Sequence, residues 1–391
     1  MKLILRNSII AFSQIIFVPV VFCFLPVRIL RKIFFRKRFL SLWVGTPIIN
    51  MAHNARAERL LGVSSYSVVF DTYFITNDFD FNLSRISRSF PLRVLMQNLV
   101  FLLSTVLADR VHGYTDRLIL PCYKKYFPNI VEMIIYKLYG IELVFWTYGA
   151  DVRTEKSTRA LGSPNMCEVC EARYANCICD DGLMADKEEL IHKYAKMFIS
   201  MGDMSEYAKD SVSDLYFWPI DLENTKYSPV YPNPSEKIVI GHAPNHRHLK
   251  GSEYLISAVN SLKFKGCNVE LLLIEGVPNK EALEMYKTCD IIFDQCIIGF
   301  HGYFALEGMA LGKPVMCYIR KPHEYLLNHT ECPIINVEYN TIEEILQQLL
   351  SDKAQLVRIG EESRKYIEKY HSYNAFAERL YELYKSRGLR I

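Results

Sequence analysis

Strand-like runs alternate with helix-compatible stretches along most of this chain, and the alternation breaks once. LWVGTPII is followed by NMAHNARAERLLG and SYSVVFDT, and ADRVHGY, IELVFWTYG and KMFISM are spaced by EMIIYKLYG and DKEELIHKYA. The pattern then fails over residues 221–237, DLENTKYSPVYPNPSEK, where three prolines and two asparagines leave no period. It resumes with KIVIGHA, VELLLIEG, NKEALEMYKTC, DIIFDQ, ALEGMALG and KPVMCYI. Strands and helices in strict alternation predict βαβ units and parallel sheets, and a Pro/Asn-rich interruption predicts a linker. The fold class expected is α/β: two Rossmann-like, doubly wound domains over 39–221 and 238–391, a linker at 222–237, and a cleft at the carboxyl ends of both sheets.

Residues 1–38 stand apart. Residues 8–27 form a twenty-residue stretch without a charge, SIIAFSQIIFVPVVFCFLPV, roughly 30 Å as a helix. Arg28, Arg31, Lys32, Arg36, Lys37 and Arg38 follow within eleven residues, which by the positive-inside rule keeps the rest of the chain cytoplasmic. A spanning anchor is the first reading. An interfacial segment is its rival, because Pro19 and Pro26 interrupt a helix. A second uncharged stretch, 94–108, is too short to span and reads as a buried helix, with docking at a membrane surface as the alternative. The expected location is the cytoplasmic face of a bacterial inner membrane.

The stretch IIGFHGYFALEGMALGKPVMCYI (297–319) carries the most chemistry. It reads as a strand end, a glycine-bearing loop with Gly299 and Gly302, and a helix opening at Tyr303. The amino end of such a helix suits a diphosphate, and Glu307, a turn inside, can accept from both ribose hydroxyls. HAPNHRHLKG (242–251) follows the first strand of the second half and adds Arg247 and Lys250, cations suited to a diphosphate leaving group. Its three histidines lack the carboxylate or Cys partners of a metal site.

The first of these stretches resembles the donor-binding signature of retaining GT-B glycosyltransferases of family 4. The resemblance implies that Glu307 binds ribose and that Lys250, with Arg247, grips the diphosphate. Gly312, Pro314 and Val315 match the end of the signature. The family's first glutamate falls on Gly299, a departure that leaves Asp294, Gln295 or His301 to contact the sugar. Gly302, Tyr303 and, after the first strand of the chain, Gly45 complete the expected donor contacts.

TYGADVR (147–153) offers Asp151 and Arg153, resembling an element of bacterial polysaccharide glycosyltransferases. Asp151 either orients a hydroxyl or forms a local cap with Arg153. No residue reads as a dedicated nucleophile. Cys167, Cys170, Cys177 and Cys179 cluster among eleven cysteines. Free thiols are one reading, a structural zinc another, and an iron–sulfur cluster a less favoured third. The absence of a paired framework points to a reducing compartment. A net charge of +3 over 391 residues argues against a nucleic-acid partner. The expected activity is transfer of a sugar from a nucleotide-sugar co-substrate to a polyprenyl-diphosphate-linked glycan in surface polysaccharide assembly, with no cofactor required. The rivals are a nucleotide-sugar epimerase of the same fold and a catalytically degenerate scaffold at the membrane.

Overall fold

The computed structural model describes residues 2–34, 39–171, 177–233 and 237–391. Arg36, Lys37 and Arg38 of the basic cluster lie outside these residues. The chain forms two compact units, the first comprising Met1–Thr154, Ile178–Phe217 and Ala377–Ile391, the second Glu155–Cys177 and Trp218–Phe376.

Unit 1 holds a parallel six-stranded sheet of β1 (Leu40–Trp43), β2 (Ser64–Val69), β3 (Phe81–Asn82), β4 (Arg110–Tyr114), β5 (Glu142–Trp146) and β6 (Met197–Ile199), in the order β3-β2-β1-β4-β5-β6. That is the dinucleotide-fold order, with its switch point between β1 and β4. Every residue of β4 is buried, as expected of a strand covered on both faces. The helices of this unit include α1 (Lys2–Cys23), α2 (Leu25–Phe34), α3 (Ile49–Glu58), α4 (Phe90–Leu107) and α5 (Ile130–Leu138). The amino end of α5 is set by Asn129, whose side chain accepts from the Val131 N–H at 3.0 Å. The uncharged amino-terminal stretch is thus two helices, interrupted at Phe24 two residues before Pro26. α1 and α4 are both long and apolar enough to cross a membrane.

An ion network sits inside unit 1. Glu58 accepts from Trp43 Nε1 at 2.9 Å, Ser65 Oγ at 2.7 Å and the Tyr384 hydroxyl at 3.0 Å, and faces Arg110 and His112 at 3.4 Å. Burial works against the Glu58 charge. His112, Arg110 and Ser65 outweigh it and hold the carboxyl below its ordinary range.

In unit 2, α6 (Glu155–Ala160) and α7 (Met166–Val169) precede α8 (Asp181–Tyr194), which returns to unit 1. The second parallel sheet comprises β7 (Ile238–His242), β8 (Val269–Leu273), β9 (Ile291–Phe293), β10 (Val315–Cys317) and β11 (Ile335–Asn336), ordered β11-β10-β9-β7-β8. Counted within the unit this is the flavodoxin-type order, which reverses between β7 and β9. The remaining helices of this unit are α9 (Arg247–Lys250), α10 (Ser252–Phe264), α11 (Asn279–Lys287), α12 (Tyr303–Ala310), α13 (Pro322–Tyr325), α14 (Ile342–Ser351) and α15 (Ala354–Tyr370); α16 (Tyr373–Ser386) starts here and from Ala377 onward belongs to unit 1. Ile238, Ile240, Leu255, Leu262, Phe293 and Leu346 pack into one core that joins the sheet to α10 and α14. Both units are doubly wound, and each therefore has one crevice at the carboxyl ends of its strands.

Candidate functional site

At the switch point of unit 2, the loop after β7 meets the residue after β9. Lys250 Nζ lies 2.6 Å from Asp294 Oδ1, and Asp294 Oδ2 accepts from the Gly302 N–H at 2.5 Å. Asp294 is buried. Desolvation would raise its carboxyl, but Lys250 and the Gly302 N–H prevail and hold it below the usual range. Gly302 is the N-cap of α12. A Cβ at that position would stand 3.3 Å from Lys250 Nζ and 3.4 Å from both Asp294 oxygens, so cation, carboxylate and helix end all lie close about this residue. Three of the sequence-derived candidates therefore form a single cradle: a cation, the carboxylate that aims it, and a helix amino end.

Glu307 sits one turn into the same helix, 3% exposed. Its Oε1 accepts from Asn279 Nδ2 at 2.8 Å and the Tyr227 hydroxyl at 3.1 Å. Burial pushes its carboxyl up to about 7, against the pull of Asn279, Lys226 and Tyr227. Tyr303 opens α12 and donates its hydroxyl to the Pro219 carbonyl at 2.8 Å.

The departure at Gly299 has a physical reason. Its φ is +92°, and a Cβ there would lie 2.6 Å from the Arg320 guanidinium. Arg320 occupies the space that a side chain at 299 would need, and its own N–H bonds the Gly299 carbonyl at 2.9 Å. Among the proposed substitutes, Gln295 is fully used by the loop. It accepts from the N–H groups of Ile297 and Ile298 and donates to the Tyr318 carbonyl, at 2.7–2.8 Å. His301 packs against Trp218 and Phe300, beside the cradle in sequence.

Arg247 is placed elsewhere. It forms a two-pronged pair with Glu275 at 2.8 and 2.5 Å on the exposed surface. His242 is structural: its ring bridges the Phe293 carbonyl and Ser252 Oγ at 2.8 and 2.7 Å, and burial drives it down to about 4, so it is neutral. His248 faces Glu171 at 3.2 Å. All eleven cysteines are free. Among the described residues no group of three or more His, Cys, Asp or Glu side chains is arranged to hold a metal ion. The zinc reading thus finds no assembled ligand set among them.

The switch point of unit 1 holds a second polar cluster. Gly45 ends β1 against the Arg117 carbonyl, and Thr46 donates to Asp116 Oδ2 at 2.5 Å. The Tyr148 hydroxyl reaches the same oxygen at 3.3 Å, and Arg117 bonds Thr46 and Asp71 at 2.8 and 3.0 Å. Asp116 Oδ1 is buried with no hydrogen-bond partner, and burial raises this carboxyl. Asp151 differs. Its Oδ1 accepts from the N–H groups of Tyr148 and Gly149 at 2.9 and 3.0 Å, and its Oδ2 from Thr115 Oγ1 at 3.0 Å. Burial and the neighbouring Asp116 charge lift its carboxyl to about 6. Arg153 pairs with Asp203 at 2.8 Å. Asp151 is thus held by local N–H and hydroxyl donors while Arg153 pairs with Asp203 instead of with it, and in this cluster Asp116 Oδ1 and Asp71 Oδ1 are both buried without a hydrogen-bond partner. Sequence reasoning passed over Asp116. The signal was available: it stands two residues beyond a strand, at the end adjoining Gly45-Thr46.

No family model and no curated protein matches the sequence. Solved structures share the fold. Sucrose-phosphate synthase from Thermosynechococcus elongatus superposes with a TM-score of 0.55 at 12% identity, covering 89% of this chain and 98% of that one. An α-glucosyltransferase in complex with UDP and a 13-mer DNA gives 0.55 at 14% identity, over 90% and 99%. Anabaena HepE in complex with UDP-glucose gives 0.52 at 11% identity, over 89% and 100%. At these identities the likeness establishes the architecture: two parallel-sheet α/β domains of the GT-B glycosyltransferase fold.

Proposed function

We propose that this protein is a glycosyltransferase that moves a sugar from a nucleoside-diphosphate donor to a polyprenyl-diphosphate-linked glycan at the cytoplasmic face of a bacterial inner membrane, in surface polysaccharide assembly. The observation that carries the reading is the Lys250–Asp294–Gly302 cradle, with Glu307 one turn along the same helix. A nucleoside diphosphate needs a cation and a helix amino end for its phosphates and a carboxylate for its ribose, and Lys250, the start of α12 and Glu307 are the groups proposed to supply them, with Asp294 holding Lys250 and the Gly302 N–H in place beforehand. UDP or UDP-glucose in two of the structures sharing the fold supports the donor class.

In the proposed reaction the bond from the anomeric carbon to the diphosphate oxygen breaks while the acceptor oxygen bonds the same carbon on the same face. The departing phosphate takes the acceptor proton, and Lys250 with the amino end of α12 stabilises the charge that develops. We assign the acceptor side to unit 1, where Asp116 carries a buried carboxyl oxygen without a hydrogen-bond partner. The Arg320 guanidinium against Gly299 favours a second reading, a scaffold that has lost the sugar-contacting carboxylate.

Thermal stabilisation of detergent-purified protein against UDP-, GDP-, dTDP- and CMP-linked sugars separates the two. The transferase reading expects a rise in melting temperature with one nucleotide class, at a concentration about a hundredfold above Kd giving roughly 2.7 kcal/mol. No rise with any of them would favour the scaffold. With a donor in hand, Asp116→Asn is expected to lower kcat by on the order of 100-fold while leaving the donor KM and the melting temperature near wild type. A variant that transfers at the normal rate would remove Asp116 from the reaction.

A further inference from the structure

α1, α2 and α4 form one outer surface of unit 1, and α1 is fastened to it along its length. Arg6 donates to the Cys122 carbonyl at 2.5 Å, Asn98 Nδ2 to Ser13 Oγ at 3.3 Å, the Tyr123 hydroxyl to Gln14 Oε1 at 2.9 Å, and the Tyr139 hydroxyl to the Val21 carbonyl at 2.9 Å. Arg28 of α2 is buried and donates to the carbonyls of Thr105, Ala108 and Tyr139 at 2.7–3.1 Å. A helix held at its start, middle and end against a folded domain does not cross a bilayer, because crossing would carry the polar loop at Cys122 and Tyr123 into hydrocarbon.

The outward side of the same helices is apolar. On α1 Phe12 is 67% exposed, Ile15 73% and Phe22 46%; on α4 Leu99 and Leu103 are exposed, and on α2 Ile33. These are whole faces of helices, at spacings of three and four residues, left without a partner. Neither residues 1–34 nor 90–107 contain a single acidic residue, while Arg6, Arg31, Lys32 and Arg93 lie in these helices and Arg36, Lys37 and Arg38 follow in sequence. Arg31 and Arg93 are paired with Asp109 and Asp71 at 3.1 and 3.5 Å, but the helices themselves carry basic residues and no acidic ones, and an apolar face with that bias is complementary to an anionic lipid surface.

We propose that α1, α2 and α4 dock together into one leaflet of an anionic bilayer, with α1 lying in the plane of the interface. The protein is then monotopic. The docking face adjoins the cluster at the unit 1 switch point. Arg6 of α1 holds Cys122, whose thiol contacts the Asp116 carbonyl at 3.7 Å, and Arg93 of α4 approaches Asp71, the partner of Arg117, at 3.5 Å. Docking therefore sets the unit 1 switch point, reached through Cys122 and Asp71, directly behind the docked helices. This inference rests on the membrane residence proposed above and is independent of the donor site in unit 2.

The test is flotation of the full chain with vesicles of phosphatidylcholine alone or mixed with phosphatidylglycerol. The wild type is expected to float with the anionic vesicles and to remain behind with the neutral ones. Phe12→Asp/Ile15→Asp and Leu99→Asp/Leu103→Asp are each expected to cut binding by roughly tenfold or more. Both pairs are exposed, so folding is checked by an unchanged melting temperature and an unchanged nucleotide-induced shift. A protease-cleavable tag ahead of Met1 should stay on the same side of the vesicle as the body of the protein. Protection of that tag, or wild-type flotation by the α4 pair, would mean a spanning α1 and overturn the proposal. A stable dimer that ignores anionic vesicles would assign the face to a second copy and overturn it equally. Failure of nucleotide binding alone would count against the transferase reading and leave the docking intact.

Discussion

Glu307→Gln is expected to stabilise the unliganded protein at pH 8 while it weakens donor binding. The carboxyl titrates near 7 in the folded chain against an ordinary value of 4.5. Between those values the folded state holds a proton that the unfolded state has released. Stability from this group is therefore fully present below pH 4.5, falls as the pH rises and is gone above about 7. The gap corresponds to roughly 3 kcal/mol at pH 8. Glutamine keeps an oxygen for Asn279 and Tyr227 and removes the buried charge, so a melting temperature several degrees higher is expected for a unit of this size. The donor loses a charged acceptor for its ribose hydroxyls, with each such bond contributing about 1.5–3 kcal/mol, and affinity should drop by roughly tenfold to a hundredfold or more. In the wild type, donor affinity should climb as the pH passes 7. Melting curves from pH 5 to 9, with and without nucleotide, read all of this. A variant that melts lower at pH 8 and binds nucleotide normally would make Glu307 a plain structural residue.

Lys250→Met is the second large effect. Asp294 would be left charged and buried with only the Gly302 N–H and weak thiol contact as partners. Breaking one side of such a pair costs roughly 3 kcal/mol or more, and the diphosphate loses its cation, worth on the order of 100-fold in kcat. The two losses separate in the double variant. Lys250→Met/Asp294→Asn removes the orphaned charge, and the amide oxygen introduced at position 294 can still accept from Gly302, so stability should return while transfer stays low. Recovery of both together would show that Lys250 serves only to neutralise Asp294.

The cluster at the unit 2 switch point was legible in sequence because its backbone needs particular residues. Gly302 is where cation, carboxylate and helix end crowd together, and Gly312-Lys313-Pro314 closes α12 where α15 packs, with Gly360 hard against the Gly312 carbonyl. Lys313 there is structural, its ammonium buried and donating to the Lys287 carbonyl at 3.0 Å. The partners of exposed charges were not legible. Nothing in the pattern around Arg247 signals that Glu275, after the neighbouring strand β8, claims it, or that Arg320 fills the space beside Gly299. The two-residue strands β3 and β11 are too short to show a period. Asp116 escaped notice because one polar residue after a buried strand looks like any turn, and its spare oxygen exists only once Thr46 and Tyr148 have been brought to it. The amphipathic pattern of α16 says that it packs, and is silent on which core receives it.

That last element sets a timetable for the protein. Tyr384 completes the Glu58 network from 326 positions downstream, so the ribosome adds all of unit 2 before the first unit can close. At about 5–20 residues per second this is a delay of roughly 15–65 s. Through the later part of that interval the nascent chain carries a six-stranded sheet whose buried Glu58 still lacks Tyr384, and two apolar helices that emerged first. The second unit can mature on schedule; the first must be sheltered, by a chaperone or by the lipid surface it is proposed to occupy, until its final helix arrives.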